Sequence, residues 1–235
     1  MLVVVLTGCG QKKRPQARVI APPSMEDSQS SRSKTRERSG SSADNKIVVP
    51  QNARPIYVET GLASWYGPPY HHRAAADGQP FDMYQMTAAH KTLPLNSIVR
   101  VTNLKNDKSV ILRISDRGPF IGDRIIDLSL AAAKEIDVWR PGVARVKVEV
   151  LDAPKPLASG GRWAVQIGAF TSHDEALRLK STLARKYKSA KVIQFTGPTG
   201  EWVRLRPQDD DRREAQQIAH ATQVSEGGVF LVRLD

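Results

Sequence analysis

The middle of the chain is built from short segments in which apolar and polar residues alternate. In 145–150 three valines alternate with an arginine, a lysine and a glutamate, and 99–102 and 110–114 repeat this pattern. Successive side chains of a strand point to opposite faces, so a period of two predicts strands with one buried face. Many short strands with little helix between them predict a small closed β-barrel over 57–152.

Two local signals agree with a barrel. Asn106-Asp107 separates two of the alternating runs, and both residue types tolerate the positive φ of a tight hairpin turn. The one credible helix of this segment is Leu130–Glu135, because its alanines favour helix and Ser129 can cap its first turn.

The pattern of apolar residues changes after 153–160, a linker that contains two prolines and a glycine. An apolar strand at 163–170 precedes a helix whose apolar stripe runs from Ala176 to Tyr187, with Ser172 as its cap. The remaining strands and second helix are expected at 191–195, 202–206, 215–222 and 229–234. This βαββαβ order predicts an α+β domain over 161–235, a split βαβ (ferredoxin-like) fold with both helices on one face of a four-stranded sheet.

The residues ahead of the barrel have another composition. The chain carries a net charge of +11, and 11–56 alone hold ten basic and four acidic residues. The segment 10–56 is rich in Ser, Arg, Lys, Pro and Gln, so it cannot bury enough apolar surface to offset the entropy of ordering. We predict a disordered basic linker, either a solvated tether or a contact for anionic envelope polymers. Because much of the charge lies here, it argues only weakly for nucleic acid as a partner.

Cys9 is the only cysteine, which excludes an intramolecular disulfide. It follows Leu6-Thr7-Gly8 and a short aliphatic run, a pattern that resembles a bacterial lipobox, in which the cysteine takes the lipid, palmitate included. Residues 1–9 are then the remnant of a lipoprotein signal, and the missing basic start leads us to expect a truncated beginning. Gly10 resembles the residue found in lipoproteins sorted to the outer membrane. The alternative is a chance match of a short pattern.

Polar residues concentrate in the barrel segment, at Asp77–Asp82, His90, Asp116 and Asp127. Asp116 directly follows the alternating run 110–114, and a strand end of a barrel presents its side chains to a groove. This makes Asp116 the strongest candidate for chemistry. The alternative for any of these carboxylates is a structural ion pair, for which the available partners are Arg113, Arg117 and Arg124.

Six ordered motifs cover nearly the whole of 60–151. They are Gly61–Gly67 (GLASWYG), Phe81–Met83 (FDM), Met86–Pro94 (MTAAHKTLP), Val101–Leu104 (VTNL), Ile114–Phe120 (ISDRGPF) and Ile126–Ser129 (IDLS). Together they resemble the rare lipoprotein A (RlpA) family. The resemblance implies a mainly β fold, a six-stranded double-psi β-barrel related to expansins and to membrane-bound lytic transglycosylase A. It also implies a lytic transglycosylase, a carbon–oxygen lyase that cuts peptidoglycan strands lacking stem peptides.

The resemblance assigns roles to individual residues. Asp116 matches the family's catalytic aspartate, and Asp82 and His90 match positions that line the cleft, so these three form the expected catalytic set. A lytic transglycosylase needs one acid/base group, which protonates the leaving oxygen and later takes the proton of the attacking C6 hydroxyl. The product is a 1,6-anhydro end. No cofactor is expected, and the scattered histidines predict no metal site.

Other residues are expected to bind the glycan. They are Trp65, Tyr66, Gln79, Arg117 and Asp127 in the barrel and Gln166 in the C-terminal domain. Asp127 has a second interpretation, which we favour: a cap for the helix that follows it. Gln79 stands where the family usually has a glutamate, and if that glutamate is essential the chain binds glycan without cutting it.

The C-terminal segment resembles a SPOR domain over about 160–235, on Trp163–Phe170 (WAVQIGAF) and the βαββαβ order. The resemblance implies binding of denuded glycan at the division septum. The family's second strand commonly ends Val-Gly-Pro-Phe, which Trp202–Pro207 (WVRLRP) replaces here. The fold prediction does not depend on these residues. The family's affinity for glycan, by contrast, is not implied for a chain in which they are replaced.

Two functions of different classes are therefore open. The first is a lytic transglycosylase of the cell envelope, held by lipid on the periplasmic face of the outer membrane and enriched at the septum near divisome proteins. The second is a non-catalytic tether that grips peptidoglycan with both domains. RNA binding is disfavoured, because the C-terminal strands lack the aromatic Lys/Arg-Gly-Phe motif that stacks bases.

Overall fold

Six strands close into a barrel in the first half of the region that the computed structural model describes, residues 53–235. Neither the predicted signal remnant 1–9 with Cys9 nor residues 10–52 of the predicted linker belong to the described residues. The strands are β1 (Tyr57–Tyr66), β2 (Thr87–His90), β3 (Ile98–Asn103), β4 (Ser109–Asp116), β5 (Arg124–Ser129) and β6 (Ala144–Asp152). The six-stranded closed barrel predicted from the sequence is confirmed.

The order of strands around the barrel is β1-β5-β2-β4-β3-β6. β1 runs parallel to β5 and β2 runs parallel to β4, whereas the other neighbours are antiparallel. β2 therefore lies between β4 and β5, although it precedes both in the chain. This insertion positions the candidate site, because it brings the ends of β4 and β5 to either side of one short strand.

The apolar residues of the alternating segments fill the interior of the barrel, as the sequence predicts. The valines of β6 and the apolar residues of β3 and β4 point inward and are fully or almost fully buried; they are Val99, Val101, Val110, Leu112, Ile114, Val146, Val148 and Val150. Helix α1 (Leu130–Glu135) adds Ala132 and Ala133 to this core. The predicted cap is present, since the Ser129 hydroxyl accepts a hydrogen bond from the Ala132 N–H at 3.2 Å.

A second domain follows with the βαββαβ order that the sequence predicts. Its elements are β7 (Trp163–Phe170), α2 (His173–Lys186), β8 (Lys191–Gly197), β9 (Gly200–Arg206), α3 (Arg212–Ala221) and β10 (Gly228–Arg233). The four strands form a sheet in the order β10-β7-β9-β8. Ser172 caps α2, and Asp211 caps α3 by accepting from the Glu214 N–H at 2.8 Å. Both helices of this domain are too short to cross a membrane, as is α1.

The two faces of this sheet carry different residues. Trp163, Val165 and Ile167 of β7 pack with apolar residues of α2 and α3, so one face is covered by the helices. The next residues along the strands point to the opposite face. In register across that face, Gln166 of β7 lies between Phe230 of β10 and Arg204 of β9. We call this the open face of the sheet.

Candidate functional site

A cleft of about 510 Å³ lies between one end of the barrel and the open face of the sheet. The barrel side is lined mainly by aromatic and charged residues: Tyr66, Tyr70, Arg73, Phe81, Asp116, Arg117, Phe120, Arg124 and Asp127. The sheet side contributes Gln166, Phe195, Trp202 and Arg204. Of the residues predicted to form the site, the structure thus brings Asp116, Asp127, Tyr66, Arg117 and Gln166 together.

Asp116 is the last residue of β4, where the strand leaves the barrel. Its Oδ1 accepts hydrogen bonds from the backbone N–H groups of Ala76 at 3.0 Å and of Arg117 at 2.8 Å. No described residue donates to Oδ2, so this oxygen is available to a ligand. Burial raises the pKa of the Asp116 carboxyl above its ordinary value, and the two N–H groups oppose that shift.

Asp127 lies opposite Asp116 across a single residue. Ala89 of β2 is the register partner of Asp116 on β4 and of Asp127 on β5. Register partners have their side chains on the same face of a sheet, and two strand spacings separate the Cα atoms by about 10 Å. The methyl group of Ala89 therefore leaves room for a ligand between two carboxylates.

The environment of Asp127 is that of a buried, incompletely paired acid. Its Oδ2 accepts from Arg124 Nη2 at 3.1 Å, while its buried Oδ1 has no hydrogen-bond partner. Burial raises the pKa of Asp127 to about 6, against the charges of Arg124 and Lys91. The favoured interpretation of Asp127 as a helix cap is wrong, because Ser129 performs that role and Asp127 faces the cleft.

Tyr66 stands next to both carboxylates. Its ring stacks on Phe81 at 4.2 Å and meets Tyr70 edge-on at 5.9 Å. Burial raises the pKa of the Tyr66 phenol well above its ordinary value, and the charges of Asp116 and Asp127 add to that rise. The buried hydroxyl has the Ser115 side chain as a polar neighbour but no acceptor in hydrogen-bond geometry among the described residues, so its proton is available to a ligand.

Arg117 lines the cleft, and both terminal nitrogens of its guanidinium are occupied, whereas its buried Nε has no hydrogen-bond partner. It donates to the carbonyl oxygens of His90 at 3.0 Å, Leu93 at 2.7 Å and Asp235 at 2.6 Å. Burial lowers the pKa of Arg117 to about 10. The side chain therefore ties the loop after Asp116 to the end of β2 and to the residues that follow β10.

His90 is buried behind the cleft rather than among the residues that line it. Its Nδ1 accepts from the N–H groups of Thr92 at 3.2 Å and Leu93 at 3.0 Å, which leaves Nε2 to donate to Glu59 Oε1 at 2.6 Å. Burial lowers the pKa of His90. Both ring nitrogens are thus committed to protein groups, and a neutral imidazole satisfies all three bonds.

Three more of the predicted site residues do not line the cleft. Asp82 accepts from the Tyr84 N–H at 2.9 Å, and Trp65 donates to the Trp139 carbonyl at 3.1 Å while it packs on the barrel core. Gln79 belongs to a turn in which its carbonyl accepts from the Ala75 N–H at 2.8 Å. Ala75 does line the cleft, so Gln79 is connected to it through the backbone of this turn.

Two of the three arginines that the sequence offered as partners form ion pairs with these acids. Arg113 pairs with Asp77 at 3.0 Å and Arg124 with Asp127 at 3.1 Å. Within residues 53–235, no group of three or more His, Cys, Asp or Glu side chains is placed to hold a metal ion.

The sheet side of the cleft contains residues that the sequence did not single out as a site. Phe195, Trp202 and Arg204 come from the second domain, far along the chain from Asp116. For Trp202 and Arg204 the one available signal was the unusual sequence of β9, which departs from the SPOR pattern there.

Comparison with known proteins gives two family matches. Residues 58–148 match the family described as lytic transglycolase, and residues 159–233 match the family described as SPOR domain. The barrel is thus similar to the first family and the second domain to the second. The resemblance to the RlpA family and the double-psi barrel that it implied are thereby confirmed.

Individual relatives carry one name, endolytic peptidoglycan transglycosylase RlpA. The chain is 46% identical over 157 residues to that of Pseudomonas aeruginosa, which is 66% of this chain and 46% of the relative. It is 43% identical over 147 residues to that of Neisseria meningitidis, 62% of each chain. A third, from Vibrio cholerae, is 53% identical over 100 residues, 43% of this chain and 38% of the relative. The chain thus spans about half the length of the relatives it matches.

Proposed function

We propose that this chain is a peptidoglycan lytic transglycosylase that cuts denuded glycan strands and leaves 1,6-anhydro-N-acetylmuramic acid ends. The observation that carries the proposal is the state of Asp116. Two backbone N–H groups hold one oxygen of its carboxyl, the other oxygen is free in the cleft, and burial raises its pKa. A positioned carboxyl whose protonated form is favoured by burial is suited to protonating a glycosidic oxygen.

Asp116 serves as acid and then as base. Its Oδ2 proton passes to the glycosidic oxygen as the bond to C1 of N-acetylmuramic acid breaks. The carboxylate that results accepts the proton of the C6 hydroxyl of the same sugar as this oxygen bonds to C1. No water enters the product, and the enzyme regains its proton in every turnover.

Asp127 and Tyr66 assist from the other side of the gap above Ala89. The unpaired Oδ1 of Asp127 places negative charge where the sugar ring becomes positive, because with a pKa of about 6 the carboxyl is mainly ionised at neutral pH. The Tyr66 hydroxyl, buried without a partner, donates to a sugar oxygen. An electrostatic group of this kind is worth about 3–4 kcal/mol in a desolvated site.

For the other predicted residues we propose support rather than direct chemistry. His90 positions the loop that carries Arg117, since its ring holds Thr92 and Leu93 and its carbonyl accepts from Arg117. Asp82 and Gln79 shape the turn behind the Ala75 wall of the cleft.

Gln79 also favours a second candidate function, a tether that binds glycan without cutting it. A glutamine at a position usually occupied by glutamate can hydrogen-bond but cannot transfer a proton. The two candidates share the cleft and differ only in turnover.

We further propose that the protein acts at the cell wall. The SPOR domain and the names of the relatives support association with peptidoglycan. Attachment of lipid to Cys9, residence in the outer membrane and enrichment at the septum are the finer parts of this proposal. Palmitate labelling that disappears in Cys9→Ser would support the anchor, and a fluorescent fusion that stains the periphery uniformly would exclude septal enrichment.

Mass spectrometry of digested glycan separates the two candidates. The wild-type chain is expected to release 1,6-anhydro ends from purified denuded strands, and Asp116→Asn is expected to release none while still pulling the strands down. Asp107→Asn is the matched control, because Asp107 is exposed in the hairpin between β3 and β4. Binding without anhydro ends would favour the tether, and ordinary reducing ends would indicate hydrolysis instead.

A further inference from the structure

Three aromatic side chains of the loop between β1 and β2 contact one another at the surface of the barrel domain. The ring centre of His71 lies 3.7 Å from that of His72, and the His71 ring meets Tyr84 edge-on at 5.6 Å. Tyr84 is 65% exposed, the most of any large hydrophobic side chain in residues 53–235, and His72 is exposed as well. We call these three residues the aromatic cluster.

The aromatic cluster adjoins the cleft that contains Asp116. Tyr70, which directly precedes His71 in the chain, lines this cleft, and so does Phe81. The Phe81 carbonyl accepts a hydrogen bond from the His72 N–H at 2.8 Å. Because consecutive Cα atoms are about 3.8 Å apart, the cluster begins one residue beyond the wall of the cleft.

The backbone of the loop holds the cluster in place. The Met83 N–H donates to His71 Nδ1 at 3.4 Å, and the Tyr84 N–H donates to Asp82 Oδ1 at 2.9 Å. Phe81 and Met83 anchor the same stretch of chain, since both are buried in a small apolar core of their own. The three rings are therefore positioned before a ligand arrives, which lowers the entropy that binding costs.

Stability of the fold does not account for the cluster. The exposed ring of Tyr84 removes little apolar surface from water. His72 has a φ of +65°, a region that a residue with a Cβ atom enters at a cost. Among the described residues, none forms a hydrogen bond with the ring nitrogens of His72 or with the Tyr84 hydroxyl. These polar atoms are therefore available to a ligand.

Rings with free polar edges at the rim of a cleft favour a sugar as their ligand. The C–H groups on one face of a pyranose pack against the negative face of an aromatic ring, and its hydroxyl groups bond to nitrogen and oxygen atoms at the ring edge. The cleft volume of about 510 Å³ is in the range of pockets that hold one small ligand. A glycan strand is a polymer, so the sugars further along it lie outside the cleft.

We propose that His71, His72 and Tyr84 form an outer sugar-binding subsite, which stacks a pyranose ring of the glycan strand where the strand leaves the cleft beside Tyr70. This inference rests on the proposed function, whose substrate is that strand. The subsite holds the strand without touching the bond that is cut, so it makes long strands better substrates than short ones. All of its residues belong to the barrel domain.

Cleavage of two substrate lengths by the full chain tests the subsite. The substrates are a tetrasaccharide and a dodecasaccharide of peptide-free glycan. Tyr84→Ala is expected to raise KM for the dodecasaccharide about fivefold to tenfold, the usual effect of losing one aromatic contact, and to leave kcat unchanged. For the tetrasaccharide both constants are expected to stay the same. Tyr84→Trp is expected to keep the wild-type KM, because a larger ring offers the same stacking face.

Two further variants serve as controls. Tyr57→Ala removes an exposed tyrosine at the start of β1, about 30 Å along the strand from Tyr66, and is expected to change neither KM. His72→Gly removes the second ring without strain, because glycine suits the positive φ, and is expected to raise KM for the dodecasaccharide severalfold. An unchanged KM in Tyr84→Ala, or a loss of kcat that is equal for the two lengths, would overturn the proposal.

Chemical footprinting keeps this result distinct from the proposed activity. In Asp116→Asn, saturating dodecasaccharide is expected to slow the modification of His72 by diethyl pyrocarbonate about tenfold. His220, an exposed histidine of α3, is the internal control and is expected to react as before. If His72 is protected but the wild type makes no anhydro ends, the subsite stands and the lyase activity falls. If anhydro ends form and His72 is not protected, the activity stands and the subsite falls.

Discussion

Neutralising Asp127 should stabilise the protein at neutral pH, although Asp127 belongs to the candidate site. The carboxyl is buried, one of its oxygens is unpaired, and its pKa is about 6 instead of 3.8. A change of one pKa unit is worth about 1.4 kcal/mol, so ionising this group inside the folded protein costs about 3 kcal/mol. Asp127→Asn has the same shape and cannot ionise.

The effect depends on pH in a definite direction. Below pH 3.8 the Asp127 carboxyl is protonated in both the folded and the unfolded chain and contributes nothing. Between 3.8 and about 6 only the unfolded chain ionises it, so the free energy of unfolding falls as the pH rises. Above about 6 the loss reaches its full value.

Urea unfolding followed by circular dichroism measures the difference. Asp127→Asn is expected to raise the free energy of unfolding by about 1–3 kcal/mol at pH ~8, where the folded wild type bears the cost of ionising Asp127. It is expected to change this free energy little at pH ~4, where the carboxyl of the folded wild type is protonated. Asp107→Asn, on the exposed hairpin, is expected to change it at neither pH. An Asp127→Asn variant that is destabilised equally at both pH values would refute the reasoning, because Asp127 would then be a structural partner of Arg124 rather than a strained acid.

Three further predictions concern the surroundings of the carboxylates. Ala89→Leu should fill the gap between Asp116 and Asp127 and lower kcat/KM by about 100-fold in the glycan digest, with circular dichroism unchanged; undiminished cleavage would show that the substrate does not enter this gap. Arg117→Met should lower the free energy of unfolding by about 2–3 kcal/mol in urea, because three carbonyl oxygens lose their donor; an unchanged value would mean that water replaces the guanidinium at no cost. His90→Ala should cost a similar amount, about 3 kcal/mol, and leave the shape of the pH profile of cleavage unchanged; a profile that loses one limb would make His90 a proton carrier.

The local sequence pattern was enough to predict most of the helices and strands. The alternating valines of β6 and the apolar stripe of α2 depend on side chains a few residues apart, and burial of one face follows from the same period in any fold. Caps are equally local, so Ser129 and Ser172 were predicted in the roles that they have. Asp127 shows the limit, because two nearby polar residues competed for one cap and the sequence did not distinguish them.

The position of Asp116 at a strand end was also determined by the sequence, and the six motifs related it to a family of enzymes. Neither showed that β2 would lie between β4 and β5. Pairing of strands is decided by which combination buries every apolar face at once, and that depends on residues distant in the chain. The opposition of Asp116 and Asp127 across Ala89 is therefore a property of the closed barrel alone.

The tertiary structure also decided which polar residues meet in the cleft. His90 is of a residue type that often acts in catalysis, yet both nitrogens of its ring are occupied by three hydrogen bonds to protein groups. Arg204 has no motif around it and still reaches the cleft, because the open face of the second domain lies over the loop after Asp116. A residue's type sets the chemistry that it can perform, whereas the packing of distant elements sets whether a ligand can reach it, and only the second required the structure.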